Sequence, residues 1–269
     1  MRTCYVDRPP GIARIQAINS NPALLATTSL RVTFLSDPDV IRELLPPPLG
    51  AAEPRVTISV YEFAESNCVG PFNGASVSLA CPYDGNDGFY SLTMPRTTDA
   101  AAVVGRERYG EPTKLARSHV KQRGRFVHGT VTSHGLTYIE LAGVFDEPLS
   151  ASGRETLSQH YSFKFLPEAF GEGLAFDPQP VPVTRRALTR QRMRGSGAVV
   201  LRESRHDPVI DIPVPEVEGA TFSRGETRTS GEVVATVPAE AFLPWAFGKH
   251  DDLTAWADQF VLSTASLDA

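Results

Sequence analysis

Lysine is scarce in this chain, which takes most of its positive charge from arginine. One of its four lysines, Lys114, stands in the stretch GRERYGEPTKLAR, residues 105–117. A lysine amine that loses its proton can attack a carbonyl carbon, whereas an arginine side chain stays charged. Lys114 is therefore a candidate nucleophile, although the same stretch could simply begin a solvated helix.

Other reactive motifs are missing from the sequence. It contains no Gly-x-Ser-x-Gly elbow and no glycine-rich phosphate loop between a strand and a helix, and its six histidines have no metal-ligand spacing. Its three cysteines, Cys4, Cys68 and Cys81, form no Cys-x-x-Cys pair and are interpreted as reduced thiols, with Cys68 and Cys81 expected to be buried. We expect no cofactor and no metal.

Composition excludes some classes of partner. The 269 residues are 41% hydrophobic and carry a net charge of -5, which suits a globular protein and gives no basic surface for nucleic acid. The N-terminal residues lack the apolar core of a signal peptide, and no later stretch approaches the ~18 apolar residues of a membrane span. We expect a cytoplasmic protein that binds neither nucleic acid nor a membrane.

Short runs rich in β-branched and aromatic residues recur and predict a mainly β protein. The runs are LRVTFL, RVTISVYEF, ASVSLAC, GFYSLTM, RFVHGTVTSHGLTYIELAGVF, YSFKFLP, GAVVLRE and GEVVATVP. A helix capped by Asp37 is predicted over DPDVIRELLPPP, and TKLARSHV and LPWAFGKHDDLTAWADQFVL could also be helical. PYDGNDGFY is typical of a hairpin tip, and residues 178–194 of a loop or irregular edge strand. Without a linker or repeat, we expect a single domain over residues 1–269.

The stretch around Lys114 resembles the Gly-Arg-Glu…Pro-Lys-Lys-Leu segment of the acetoacetate decarboxylase superfamily. The resemblance extends to LRVTFLSDPDVIRELLPPPL, RFVHGTVTSHGLTYIELAGVF, YSFKFLP and GEVVATVPAEAF, and so covers nearly the whole chain. It implies a mainly β (α+β) fold in which curved antiparallel sheets form a barrel or cone around a closed pocket, with a few peripheral helices. It also implies a homo-oligomer and a small carbonyl compound as the substrate.

In this family the first lysine of the pair forms a Schiff base with a β-keto acid, and the iminium accepts the electrons released when carbon dioxide leaves. That position is Thr113 here, and Lys114 takes the place of the second lysine. On an extended strand, a shift of one residue turns the amine to the opposite face. If the segment is instead helical, Arg117 lies close enough to Lys114 to lower the pKa of the amine.

Other family positions have also changed. The family's active-site glutamate falls on Gly74, and its carboxylate-binding arginine falls near Thr27. We take Arg31, on the same strand face as Thr27, and Glu62 as candidate substitutes.

The predicted site follows from these matches. Arg106 and Glu107 match the Gly-Arg-Glu motif and could form either a buried pair beside the pocket or a structural ion pair. The predicted catalytic residues are Lys114, Glu62, Arg106 and Glu107. The residues predicted to bind substrate are Arg31, Phe72, Tyr109 and Thr113.

Three functions follow from the sequence. The preferred one is a cofactor-independent carbon–carbon or carbon–oxygen lyase that acts on a keto acid or related carbonyl compound through a Lys114 Schiff base, and that differs from a standard acetoacetate decarboxylase. It predicts that Lys114→Ala abolishes turnover with little loss of stability. The second is a non-covalent acid–base enzyme, such as a dehydratase, isomerase or cyclase of specialised metabolism, using Glu62, Tyr109 or His119. The third is a non-catalytic small-molecule-binding protein.

Overall fold

The computed structural model describes residues 6–146, 148–149 and 153–257, so Cys4 lies outside the described residues. The helices are α1 (Pro9–Ser20), α2 (Pro38–Leu44), α3 (Asp99–Tyr109), α4 (Ala239–Ala246) and α5 (Thr254–Ala257), with one-turn 3-10 helices at Val209–Asp211 and Phe247–Lys249. The strands are β1 (Ala23–Leu35), β2 (Arg55–Ser66), β3 (Phe72–Tyr83), β4 (Asn86–Thr93), β5 (Arg117–Arg123), β6 (Phe126–Ser133), β7 (Leu136–Val144), β8 (Pro148–Leu149), β9 (Arg154–Lys164), β10 (Gln179–Leu201) and β11 (Glu216–Gly231). Within the described ranges, no helix is both long and apolar enough to cross a membrane.

All these strands belong to one large curved sheet. Pairing runs in a ring through β1, β2, β3, β4, β9, β10 and β11, because β11 pairs with both β10 and β1. The β4–β9 contact is short and parallel, whereas the other pairs of the ring are antiparallel. Strands β7, β6 and β5 continue the sheet from the far end of β10. The mainly β fold with few helices, predicted from the sequence, is confirmed.

The two faces of the ring strands differ in character because successive side chains of a strand point to opposite sides. On β1, Leu30, Val32 and Phe34 are fully buried in the main hydrophobic core, together with residues of β6 and β7. Gly129 allows β6 to pack closely against β2, since a Cβ at Gly129 would lie 3.1 Å from the Cβ of Val60. The alternate side chains of β1 and β2 point into the ring and are largely polar.

Two local predictions are confirmed. Asp37 caps α2, because its Oδ1 accepts a hydrogen bond of 2.8 Å from the backbone N–H of Asp39. The tip of the β3–β4 hairpin lies at Asp84 and Gly85, whose φ angles of 50° and 74° suit the tight turn that joins two twisted strands.

The helix that TKLARSHV suggested is wrong. Its backbone is extended and continues into β5, because the Arg96 N–H donates to the Lys114 carbonyl and the Ala116 N–H donates to the Arg96 carbonyl. Pairing with another segment uses the backbone N–H and C=O groups that a helix would bond internally.

The sequence analysis also missed α1 and α3. The region 239–257 forms α4, a 3-10 turn and α5, and the rest of the helix predicted there lies outside the described residues.

The interpretation of residues 178–194 is also wrong, because they form most of β10 in the middle of the sheet. Pro180 and Pro182 are tolerated there for a geometric reason. A strand residue directs its N–H and its C=O to the same side, and the Pro180 carbonyl accepts from the Val234 N–H, away from β9. The missing N–H groups therefore do not interrupt the β9–β10 ladder. GEVVATVP does not form a strand after Gly231, where β11 ends. The Val234 N–H donates to the Pro180 carbonyl in β10, and the Val237 N–H donates to the Pro178 carbonyl just before β10 begins.

Candidate functional site

A cavity of about 410 Å³, with both polar and apolar residues in its wall, lies inside the ring of strands. Its wall contains the inward-facing residues of β1 and β2, including Thr27, Ser29, Ser59 and Tyr61, and further residues of β3, β9, β10 and β11. Helix α3 contributes Ala101, Val104, Gly105, Arg108 and Tyr109. The alternation of each strand therefore supplies polar groups to the cavity while the same strand supplies apolar groups to the core.

Arginine dominates the charge of this cavity. Arg31, Arg96, Arg185 and Arg192 line it, and Glu111 is the one carboxylate among the described lining residues. The Nη2 of Arg96 lies 2.9 Å from Glu111 Oε2, and both side chains are at least nine-tenths buried. The Nη2 of Arg185 is 3.7 Å from Glu111 Oε1, which is longer than a hydrogen bond. One carboxylate thus faces several guanidinium groups, and the cavity has a surplus of positive charge.

Arg31 shows that this surplus is available to a ligand. Burial, followed by repulsion from Arg185 and Arg192, lowers the pKa of Arg31. The side chain nevertheless has exposed surface because it faces the cavity, and its Nε donates a 3.2 Å hydrogen bond to Ser59 Oγ. Burial likewise lowers the pKa of Arg185, against the attraction of Glu111. An anion in the cavity would relieve the repulsion among these arginines.

Neutral polar groups complete the wall. Burial, with Arg185 and Arg31 adding to it, holds the pKa of His160 well below its ordinary value, so its imidazole is neutral at pH 7. Burial also raises the pKa of Tyr61, whose hydroxyl donates to the Ala75 carbonyl at 3.0 Å. Neither group adds a negative charge, so Glu111 is the negative group of the site.

The segment after α3 decides which side chains reach the cavity. Gly110 ends the helix at φ 70°, and a Cβ there would lie 2.2 Å from the Phe163 carbonyl oxygen. In the extended chain that follows, Glu111 and Thr113 both point toward Gly105, which lines the cavity. Thr113 is fully buried, and its hydroxyl donates to the Ala102 carbonyl at 2.7 Å. The position of the family's nucleophile therefore holds a hydroxyl bound to α3.

Lys114 points to the other side of this segment and does not line the cavity. Its Nζ lies 3.0 Å from Asp207 Oδ1 and 3.7 Å from Asp251 Oδ1, and it donates a hydrogen bond to the His206 carbonyl. Its side chain is 8% exposed and that of Asp207 is 4% exposed. The Asp207 carboxylate and the His206 carbonyl thus accept hydrogen bonds from the ammonium group, and Asp251 adds a longer-range attraction between charges. The one-residue shift in the motif thus turns the amine away from the arginines, as expected for extended chain.

The structure separates the other residues predicted to be catalytic from the cavity. Glu62 lies on the face of β2 opposite Tyr61, and its Oε1 accepts a 3.0 Å hydrogen bond from the Val120 N–H of β5. Arg106 and Glu107 do not form the predicted buried pair, because Glu107 is exposed on α3. Arg106 instead donates hydrogen bonds to the carbonyl groups of Thr113 and Lys249.

Three of the four residues predicted to bind substrate line the cavity, and Thr113 is buried beside it. The three are Arg31, Phe72 and Tyr109. Gly74, at the family's glutamate position, leaves no room for a side chain, since a Cβ would lie 2.8 Å from both a Tyr61 ring carbon and the Pro95 carbonyl oxygen. Thr27, near the family's arginine position, lines the cavity with a short hydroxyl side chain.

The described cysteines offer no activated nucleophile. Cys81 is buried on β3, and burial raises the pKa of its thiol to about 12. Cys68 is half-buried at the edge of the cavity, with its Sγ 3.3 Å from Ser66 Oγ. Both are free thiols, as predicted.

A separate cluster outside the cavity has metal-binding residue types. Ligand atoms of His134, His206 and Asp251 lie within 4.8 Å of one another. The centroids of the two imidazole rings lie 4.0 Å apart with an angle of 33° between the ring planes, and His134 Nε2 lies 3.0 Å from Asp251 Oδ2. Lys114 already lies near Asp251. The sequence analysis missed this cluster because its members come from distant parts of the chain.

It also missed Arg96, Glu111 and Arg185. A signal for Glu111 was present, since it stands two residues before Thr113 and alternation puts both side chains on one side of an extended segment. Arg185 was hidden by the prolines around it, which suggested a loop. Arg96 carries no motif, and only the bridges from Arg96 to Gly74 and Leu115 bring it to the site.

Comparisons with known proteins agree with this architecture. The family model described as acetoacetate decarboxylase matches residues 9–237. An acetoacetate decarboxylase of Burkholderia ambifaria (strain MC40-6) is 26% identical over 214 residues, covering 76% of this chain and 85% of that protein.

Solved structures share the fold at low identity. Acetoacetate decarboxylase from Legionella pneumophila superposes with a TM-score of 0.72 at 18% identity, over 80% of this chain and 87% of that one. The enduracididine biosynthesis enzyme MppR, solved with a condensation product of pyruvate and imidazole 4-carboxaldehyde, gives a TM-score of 0.64 at 16% identity, over 79% of this chain and 88% of that one.

Proposed function

Because the chain belongs to the acetoacetate decarboxylase family, a family of enzymes, we propose that it is an enzyme acting on a small carbonyl compound that carries a carboxylate. The substrate binds in the central cavity, and the reaction proceeds by acid–base catalysis without a covalent bond to lysine. The observation that carries this proposal is the set of arginines around one carboxylate, with no lysine among the described residues that line the cavity.

The charge of the cavity supports an anionic substrate. Arg31 and Arg185 repel each other, and each lies at a surface that a ligand can reach. A guanidinium group binds a carboxylate with two parallel hydrogen bonds, which fixes the orientation of the bound molecule. The surplus of positive charge over Glu111 favours a substrate with more than one negative group, such as a keto diacid.

The position of Lys114 argues against a Schiff base at that residue. Its amine is held by Asp207 on the opposite side of the segment from Glu111 and Thr113. An amine that forms an iminium must lose its proton and reach the carbonyl carbon. For Lys114, meeting both requirements would break the buried ion pair with Asp207 and turn the side chain to the other side of the segment.

Glu111 is the proton-transfer group in this proposal. Its Oε2 is bound by Arg96, while Oε1 lies 3.7 Å from Arg185, beyond hydrogen-bond distance, and we assign the proton transfer to Oε1. Removal of a proton beside a carbonyl gives an enolate, whose negative oxygen a nearby guanidinium stabilises. No lysine among the described residues that line the cavity can form the iminium that accepts the electrons released when carbon dioxide leaves, so we favour dehydration or isomerisation over decarboxylation.

Deuterium exchange tests the proposal before the natural substrate is known. The protein is incubated in D2O with pyruvate, acetoacetate, 2-oxoglutarate and oxaloacetate, and NMR follows the protons beside each carbonyl. We expect faster exchange in at least one keto diacid than in buffer, and loss of that exchange in Glu111→Gln. Arg185→Gln is expected to weaken binding of the same compound, measured by calorimetry.

The matched control is Arg186→Gln, because Arg186 follows Arg185 on β10 but is exposed and pairs with Glu155. It should leave exchange and binding unchanged. Binding without any exchange would refute catalysis and leave a binding protein. A borohydride-trapped adduct of a keto acid on Lys114 would refute the non-covalent mechanism.

A further inference from the structure

A second cavity of about 270 Å³ lies on the other side of the segment that carries Glu111. Pro112 and Gly110 line it, whereas none of its described lining residues is shared with the central cavity. Most of its wall is apolar and comes from Leu92, Tyr90, Phe163, Phe165, Val209, Ile212, Phe242 and Trp245. The volume is just below the ~300–1,000 Å³ of sites for drug-sized ligands, so a smaller molecule fits it.

Lys249 places an amine in this apolar wall. It is the last residue of the 3-10 turn after α4 and is 6% exposed. Its Nζ donates a 3.1 Å hydrogen bond to the Phe165 carbonyl and lies 3.4 Å from the centre of the Phe165 ring. The other ionisable groups that line the cavity are Tyr90, His206, Asp207 and Asp211.

The surroundings of Lys249 make its neutral form more accessible than that of an ordinary lysine. Burial, followed by repulsion from Arg106, lowers the pKa of Lys249 to about 8, against the attraction that an aromatic face exerts on a cation. No described carboxylate forms an ion pair with it, and Asp207 is already bound by Lys114. At pH 7 about one amine in ten is then unprotonated, against fewer than about one in a thousand for an ordinary lysine.

We propose that the second cavity binds a small apolar ketone or aldehyde and that Lys249 forms a reversible imine with it. The Nζ lone pair attacks the carbonyl carbon while the carbonyl electron pair moves to oxygen, and a proton passes from the nitrogen to that oxygen to give a carbinolamine. Loss of water gives the imine, and hydrolysis reverses the step. No oxidant or reductant is needed, and the aromatic wall holds the hydrocarbon chain.

This site differs from the central cavity in both residues and ligand. The central cavity selects anions through arginine, whereas the second cavity excludes them by its apolar wall. Lys249 also lies beyond residues 9–237, which the family model matches. Failure of one proposal therefore leaves the other standing.

Reductive trapping on the unaltered protein tests the inference. The protein is incubated with 2-heptanone and cyanoborohydride, which reduces imines, and peptide mapping measures the adduct on each of the four lysines. We expect at least ten times more adduct on Lys249 than on the exposed Lys121 at pH 7.5, and a yield at Lys249 that rises with pH through about 8. Excess 2-heptanol, which has the same chain but no carbonyl, should protect Lys249 and not Lys121.

Two variants complete the test. Lys249→Gln keeps an N–H donor for the Phe165 carbonyl and should remove the adduct at this site, whereas Lys121→Gln should leave it unchanged. Deuterium exchange of a keto diacid should continue in Lys249→Gln, which separates this site from the central cavity. Equal labelling of Lys249 and Lys121, or labelling of Lys249 that 2-heptanol does not slow, would overturn the proposal.

Discussion

Replacing Lys114 separates a structural lysine from a catalytic one. Lys114→Met removes the charge and keeps a long apolar side chain, so Asp207 loses an ion-pair partner 3.0 Å away while remaining buried. We expect a clear loss of stability, with turnover retained at temperatures where the variant is folded. The Schiff-base hypothesis expects the reverse, a stable protein without turnover.

The size of the effect follows from burial. Both side chains of the pair are at least nine-tenths buried, and breaking such a pair by removing one partner costs about 3–5 kcal/mol. For a chain of this size, that corresponds to a fall in Tm of about 5–9 °C. Burial already raises the pKa of Asp207, and Lys114 opposes that rise. Without the lysine, the folded state prefers protonated Asp207 more strongly, so the loss of stability should shrink as the pH falls.

Urea unfolding at several pH values and deuterium exchange with the active keto acid measure the two effects. Lys121→Met is the matched control, because Lys121 is exposed on β5 and should change stability by less than about 0.5 kcal/mol. Adding Asp207→Asn to Lys114→Met should recover part of the loss, since it removes the unpaired charge. A Lys114→Met variant of wild-type stability with no activity would refute this interpretation of the structure.

Three further predictions concern neighbouring positions. Thr113→Lys puts an amine on the same side of the segment as Glu111. We therefore expect borohydride trapping with acetoacetate to give an adduct at the introduced amine, detected by mass spectrometry. Trapping no greater than in the parent protein would contradict the orientation assigned to this side chain. In the folded protein the pKa of Lys249 is about 8, below the ordinary lysine value, so the unfolded chain binds more protons between about pH 8 and pH 10.4. The free energy of unfolding should therefore increase with pH across this window, by at most about 3 kcal/mol. Urea unfolding should show that Lys249→Met removes this increase. Gly110→Ala should cost about 3 kcal/mol or more, because φ is 70° and the new Cβ would lie 2.2 Å from the Phe163 carbonyl oxygen; a change in Tm below 2 °C would contradict it.

The sequence was sufficient for the family and for most strands. Period-two alternation and β-branched residues identified the strands of the core, and the Asp37 cap and the turn at Asp84 and Gly85 followed from local chemistry. Local rules failed where a distant segment supplied hydrogen bonds. The stretch at Lys114 is extended because Arg96 pairs with it, and β10 continues through prolines because their missing N–H groups do not face β9.

The central cavity was predicted only in part, because contacts between distant segments also decide which side chains reach it. Arg31, Phe72 and Tyr109 line the central cavity, and of these only Arg31 was inferred from strand alternation. The sequence by itself determined that the family's nucleophile position is Thr113 and that the remaining lysine is one residue away. Only the tertiary structure decided that this residue faces Asp207, that Glu111 stands among arginines, and that Lys249 lies in an apolar wall. A side chain's partners depend on strand register and on contacts between segments far apart in the chain, and residue type and spacing do not specify either.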